Sequence, residues 1–250
     1  MHLRAFASSS RGNCSLLYDQ DTALLVDAGI SCRKIKQRLQ AAELTPDDLS
    51  GILITHEHTD HIAGLAVLLK NYPIPLYATP GTALVLSRKL PHARELIRPL
   101  PAGSQFQVGS LTHDAADSVG YRLTSGGHSA VIATDLGRVT SLVMDAAFGA
   151  DLALIEANHD VDWLRDGPYP YALQNRILGD RGHLSNEASA EFAVSLAAAG
   201  THTLLLAHLS PENNTPERAR TVVQGALERA HLRPEVDVLP RDECSLCYEV

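Results

Sequence analysis

The chain has 250 residues, 45% apolar and 20% charged, which suffices for one well-buried domain over 1–250 and excludes a disordered or fibrous class. Its net charge of −8 advertises no broadly basic face for nucleic acid, although charge can be patterned locally and bound divalent cations shift the local sum. Four cysteines are too few for a disulfide framework, the first residues hold no apolar signal core, and no apolar run approaches a membrane span; a cytoplasmic protein without a membrane partner is expected.

Short apolar runs bounded by turn residues predict strands at 16–18, 23–26 and 52–54, with a helix at 31–39 between the last two. A helix at 61–70 follows the third strand. Further strands are expected at 76–77, 105–108, 119–123, 130–133, 152–155, 203–207, 236–239 and 245–250, with a hairpin signal at Ser125-Gly126-Gly127. Thr79-Pro80 and Thr215-Pro216 each read as an N-cap followed by proline in the first turn, and Ser185 caps a helix to Ala199 that Gly200 ends. Strands alternating with helices predict one layered α/β domain, helices outside and sheet inside.

Twelve histidines are the unusual count, and their placement matters more than their number. The densest group is Thr55-His56-Glu57-His58-Thr59-Asp60-His61, directly after the apolar run Gly51-Ile52-Leu53-Ile54. In extended chain His56 and His58 point the same way, while Asp60 and His61 enter the following helix and face a second point nearby. Three imidazoles and a carboxylate within six residues suit two neighbouring cations better than one. A solvated histidine-rich loop is the bland alternative, common for one histidine and rare for this spacing.

This H-x-H-x-D-H motif resembles the signature of the metallo-β-lactamase-fold hydrolases, and other positions match. Asp27 in Leu24-Leu25-Val26-Asp27-Ala28-Gly29 matches the early strand-end aspartate, His113 the third-motif histidine, Asp135 the bridging aspartate and His208 the last histidine. The resemblance covers residues 1 to about 215 and implies a four-layer αββα sandwich with its site at one sheet edge. Carried onto this chain, it implies His56, His58 and His113 on a first metal, Asp60, His61 and His208 on a second, Asp135 bridging, and Asp27 orienting ligands from behind. No cysteine falls in that set, so two divalent ions of the Mn²⁺, Zn²⁺ or Fe kind are expected. His58 stands where the diiron oxidoreductases of the fold usually carry glutamate, which argues against redox chemistry.

Gly182-His183-Leu184-Ser185-Asn186 is similar to the extra-histidine segment of the phosphodiesterase branch, in which a histidine near a glutamate contacts the scissile phosphate and helps protonate the leaving oxygen. Glu156 is the expected partner of His183, and a helix starting at Ser185 offers backbone donors to a phosphate. Ser8-Ser9-Ser10-Arg11-Gly12-Asn13-Cys14, Glu156-Ala-Asn-His-Asp160 and His208-Leu-Ser-Pro-Glu-Asn-Asn214 together resemble the YycJ/WalJ family. That resemblance implies a metal-dependent DNA exonuclease of 5′–3′ polarity, with DNA favoured over RNA; Arg11 departs from it, standing where a small residue is common. The implied mechanism uses a metal-bridging hydroxide as nucleophile, Asp60 and Asp135 as anchors and His183 with Glu156 as general acid. The alternative is a small-molecule hydrolase of cyclic phosphodiesters, thiolesters or lactones on the same metals. Basic runs at Arg33, Lys34, Lys36 and Arg38, and at Arg88, Lys89, Arg94 and Arg98, read by default as solvated faces. Cys244 and Cys247 read as two reduced thiols.

Overall fold

Strands that are apolar on both faces need cover on both sides, and four layers supply it. The computed structural model describes residues 1–101, 120–180 and 182–250, and within 102–119 the backbone of two strands. In chain order the strands are β1 (His2–Ser9), β2 (Gly12–Tyr18), β3 (Ala23–Val26), β4 (Leu49–Ile54), β5 (Leu76–Ala78), β6 (Ile97–Pro99), β7 (Gln105–Val108), β8 (Leu111–Ala116), β9 (Gly120–Ser125), β10 (His128–Ala133), β11 (Leu152–Glu156), β12 (Thr203–Ala207), β13 (Glu235–Val238) and β14 (Tyr248–Glu249). They form two seven-stranded sheets, ordered β14-β1-β2-β3-β4-β5-β6 and β13-β12-β11-β10-β9-β8-β7.

Helices α1 (Cys32–Gln40), α2 (Thr59–Ile62), α3 (Leu65–Asn71) and α4 (Pro80–Lys89) follow strands of the first sheet; α5 (Ser141–Ala147), α6 (Val161–Asp166), α7 (Tyr171–Leu178), α8 (Asn186–Ala198) and α9 (Pro216–Arg229) follow strands of the second. Alternation along each strand sorts the core into three interfaces. Leu24, Val26 and Leu53 meet Ile132, Leu154 and Leu205 between the sheets. Leu25, Ile52 and Ile54 turn outward to Ile35, Leu68 and Leu86 of the first helical layer. Ala153, Ile155 and Leu206 turn outward to Phe192, Leu196 and Val223 of the second. Three packed interfaces make the αββα sandwich.

β3 through β6 run parallel, as do β10 through β13, so the carboxyl ends of several buried strands open at the same edge of the sandwich. The predicted caps fall where expected: Ser31, Thr79, Ser185 and Thr215 each accept a bond from an amide three residues on. Gly126 and Gly127, both at positive φ, turn the two-residue β9–β10 hairpin. Two expectations need correction, and one strand went unread. The helix expected at 61–70 is two helices broken at Gly64, whose N–H bonds to Ala28 O; a Cβ at Gly64 would lie 2.2 Å from Ile30 O. The strand expected at 245–250 is only Tyr248–Glu249, because it pairs with two residues of β1. The first residues, read only for the absence of a signal, form β1. Among the described residues no helix is long and apolar enough to cross a membrane.

Candidate metal centre

The residues at the open edge leave their strands abruptly. Asp27 follows β3, Asp135 follows β10 by one residue and His208 follows β12, and all three hold φ near +60° (62°, 58° and 56°). A left-handed backbone is uncommon for non-glycine residues and costs of order 1–3 kcal/mol each, so three together mark a place where side-chain direction is over-determined. Gly29 makes the same edge possible: a Cβ there would fall 1.6 Å from Asp60 O, so only glycine lets the segment after β3 pass under α2.

His61 is fully buried. Its Nδ1 lies 2.8 Å from Asp27 Oδ2, and Asp27 is itself fixed by the Thr55 amide (2.9 Å) and hydroxyl (2.9 Å). The Nδ1 proton therefore goes to Asp27, which turns Nε2 toward Asp60 Oδ2 and Asp135 Oδ2, each 3.3 Å away. The Asn13 amide also reaches this point, with Nδ2 3.1 Å from His61 Nε2 and 3.4 Å from Asp60 Oδ2. The His56 ring stands 4.0 Å from the His61 ring, with Nδ1 on Thr55 Oγ1 (3.1 Å) and Nε2 2.8 Å from His58 Nδ1. His58, at the exposed end, N-caps α2. Glu57 turns away from the group: its carboxylate accepts from Thr82 and its carbonyl from Lys89 Nζ.

The second sheet repeats the device. Glu156, fully buried, accepts the Leu136 and Leu184 amides on Oε2. Its Oε1 lies 2.8 Å from the Nδ1 of both His208 and His183. Both rings thus direct Nε2 away from Glu156, and His208 Nε2 lies 3.8 Å from Asp60 Oδ2. The Ser8 hydroxyl accepts the His208 amide at 2.8 Å.

Among the described residues three donor groups result, the ligand atoms of each within 4.8 Å of one another: His56, His61 and Asp135; Asp60, His61 and His208; Asp135, Glu156, His183 and His208. The first two share His61, and Asp135 recurs in the third. Since Glu156 Oε1 already accepts two ring N–H groups, the third group is a hydrogen-bond hub. Among the described residues, Asp135 Oδ2 and His208 Nε2 are buried without a hydrogen-bond partner. Orphaned donor atoms converging within a nitrogen–oxygen set, with His61 and His208 each backed by a buried carboxylate, fit divalent cations.

Electrostatics follow the geometry. Burial works against the Asp60 charge, yet the neighbouring His208 and His61 rings hold its carboxyl well below the usual range. Burial likewise opposes charge on His208, but the Asp135 carboxylate, the nearby Asp60 carboxylate and the bond to Glu156 lift it to about 10. His183 is raised too: burial lowers it, and Glu156 more than compensates. His56, where burial and the His61 charge act together, is pushed down to about 4.

The structure thus brings together His56, Asp60, His61, Asp135, His183, Glu156 and His208, sets Asp27 behind His61 and leaves His58 at the rim. His113 lies in β8, opposite Phe106 and Leu123, and its side chain is outside the described residues. Ser185 caps α8 through its hydroxyl, which the Ala188 amide occupies. Sequence reasoning named neither Asn13 nor Thr55 as part of the site, though both sit in the quoted motifs. A cavity of about 860 Å³ opens over the cluster and includes His56, His58, Asp60, Asp135, His183 and His208 in its wall.

The family model described as "Beta-lactamase superfamily domain" matches residues 22–209. Exodeoxyribonuclease WalJ of Streptococcus pneumoniae is 40% identical over 241 residues, covering 92% of this chain and 90% of the relative. Ribonuclease Z of Mycobacterium bovis is 29% identical over 261 residues, covering 88% and 89%. Among solved structures, the metallo-β-lactamase fold protein YhfI from Bacillus subtilis superposes with a TM-score of 0.71 at 16% identity, covering 99% of each chain.

Proposed function

This chain belongs to the β-lactamase superfamily, and from that premise we propose that it is a two-metal phosphodiesterase that degrades DNA as a 5′–3′ exonuclease. The observation that carries the reading is the buried hub in which Glu156 Oε1 lies 2.8 Å from Nδ1 of both His208 and His183. One carboxylate thereby orients a metal-type histidine and a cavity-facing histidine together. His56 and His58, with His113, would hold one cation, Asp60, His61 and His208 the other, and Asp135 both. When bound, two divalent cations supply an activated water as nucleophile and offset charge on the phosphoryl oxygens.

The chain's own residues do the rest. His183 holds a proton on Nε2, because Glu156 accepts from Nδ1 and keeps the ring's pKa raised. That proton is available to the leaving oxygen, which is general-acid work. Glu156 is fully buried and touches no substrate, so it acts by positioning both rings. Asp27 and Thr55 do the same for His61 from the other sheet. The similarity to WalJ favours DNA; the weaker similarity to a ribonuclease Z keeps RNA as the second reading.

The test is Mn²⁺-supplemented digestion of 5′- and 3′-labelled DNA, single-stranded and duplex, and of matching RNA, with Asp60→Ala as control. Progressive mononucleotide release from the 5′ end of DNA by the unaltered protein alone is expected. Release from the 3′ end overturns the polarity, and preferential RNA cleavage overturns the substrate. Hydrolysis of small phosphodiesters without any nucleic-acid cleavage replaces the reading with a small-molecule hydrolase.

A further inference from the structure

Part of the cavity wall lies outside the metal-type cluster. It is built by the segment after β10, by the start of α5 and by α7. That helix is odd in one respect: none of its residues is buried, and Tyr171 is 77% exposed. A helix with no face in the core has no packing reason to be there. Its ends are nonetheless tied down. Gln174 Nε2 bonds to Tyr169 O and Arg165 O, and the His183 amide bonds to Ile177 O. A Cβ on Gly182 would fall 1.9 Å from that same Ile177 oxygen, so α7 is seated tightly against the chain that delivers His183.

Into the cavity wall α7 contributes Leu173, Arg176 and Ile177, and the segment after β10 with the start of α5 contributes Leu136, Arg138 and Val143. Arg138 and Arg176 are the two Arg or Lys side chains among the described residues in the cavity wall. They share that wall with Asp60 and Asp135 in a chain of net charge −8. Arg138 Nη1 lies 3.6 Å from Asp180 Oδ2, with the two side chains 66% and 78% exposed. An ion pair that long and that wet holds its partners weakly. A phosphate diester offers the guanidinium the same kind of acceptor with better geometry and releases counterions on binding.

We propose, resting on the nuclease reading, that this wall is a subsite for the nucleotide next to the cleaved bond. Arg138 and Arg176 hold its phosphate, the apolar slot of Leu136, Val143, Leu173 and Ile177 takes its sugar and base, and Asp180 occupies Arg138 until the phosphate displaces it. The ligand class is a nucleic-acid strand with a flanking diester. Both arginines and Asp180 are exposed and pack against no core, so their replacement tests binding with little risk to the fold.

The experiment compares the metal-loaded wild type with Arg138→Ala/Arg176→Ala and with Asp180→Asn on two forms of one oligonucleotide. One carries a normal diester next to the scissile linkage and the other a neutral methylphosphonate there. The double variant is expected to raise KM on the normal strand by about tenfold and to reduce the slope of log KM against log salt by about one to two. Asp180→Asn should lower KM by about two- to fivefold, a gain no structural role predicts. The methylphosphonate should raise KM for the wild type and add nothing in the double variant, since charge and its partner have been removed together. Equal sensitivity of wild type and double variant to the methylphosphonate overturns the phosphate subsite, and a raised KM for Asp180→Asn overturns the exchange. If the wild type cleaves neither strand yet turns over a bis-aryl phosphate ester, the nuclease reading itself fails and takes the subsite with it.

Discussion

At the scale of single residues, the site is organised by groups that stand behind the donors. Asp27 touches His61 and Thr55, and Glu156 touches His183 and His208; each is buried and each fixes which ring nitrogen is left to the cluster or the cavity. Replacing Asp27 by Asn keeps the shape but removes the negative charge that makes His61 a strong donor. We expect Asp27→Asn to weaken divalent-metal binding by about 10–100-fold, read by titration of the chelated protein with Zn²⁺ or Mn²⁺. An unchanged affinity would mean that His61 is oriented by Thr55 alone. Ser185 offers a contrast at the same scale. Its hydroxyl is engaged by the Ala188 amide, so Ser185→Ala should cost about 1 kcal/mol of unfolding free energy, and Ser185→Gly only a few tenths. A large rise in KM from Ser185→Ala, with stability intact, would return Ser185 to substrate binding.

Elements explain why some of this could be read from the chain and some could not. Strands buried on both faces carry unbroken apolar runs, so 23–26, 52–54, 152–155 and 203–207 stand out. The polar groups that follow them stand out too, because carboxyl ends of parallel strands are where polar side chains can gather. Less visible is β1, whose His2 and Arg4 alternate with Leu3 and Ala5 on an outer strand and leave no continuous run. The break between α2 and α3 was hidden because Gly64 sits inside an apolar periodicity that continues through it. Arg138 and Arg176 were hidden for a different reason: each is isolated in sequence, and only the fold of α7 brings both to one cavity. The basic run on α1 shows the opposite, for Arg38 bonds to the carbonyls of Phe6 and Asp242 and serves the fold. Gly29 gives the element-scale prediction. Gly29→Ala must push α2 away from β3, so we expect loss of metal binding together with a marked fall in Tm, followed by metal titration and calorimetry. Gly81→Ala, whose Cβ meets nothing within 4 Å, is the control that should leave both unchanged or raise Tm slightly.

Across the whole molecule, the two sheets are joined at their rims as well as through the apolar layer. Tyr121 of the second sheet donates to Ile54 O of the first at 2.7 Å, just before the histidine motif. At another edge Tyr248 of β14 donates to Asp237 of β13, which also pairs with Arg220 of α9. Burial raises the Asp237 carboxyl, but the Tyr248 hydroxyl, the Val238 amide and Arg220 bring it below the ordinary value. Its stabilisation is therefore complete above the unfolded pKa of about 4 and is lost as pH falls through the lower folded value. Urea midpoints of wild type and Asp237→Asn should accordingly differ near neutral pH and converge as pH falls through the lowered folded value. The candidate metal site is a further such joint, because His56, Asp60 and His61 come from the first sheet and Asp135 and His208 from the second. A cation held by both halves binds the folded chain alone, so it must stabilise the sandwich by mass action. At a free concentration of about a hundred times Kd the linkage is worth about 2.7 kcal/mol. For a chain of this size that moves Tm by roughly 5–10 °C. Calorimetry with and without a chelator should show that drop in the wild type, reversed by added metal, and little of it in Asp60→Ala or His208→Ala. A chelator shift of the same size in both variants would put the stabilising cation somewhere other than between the sheets.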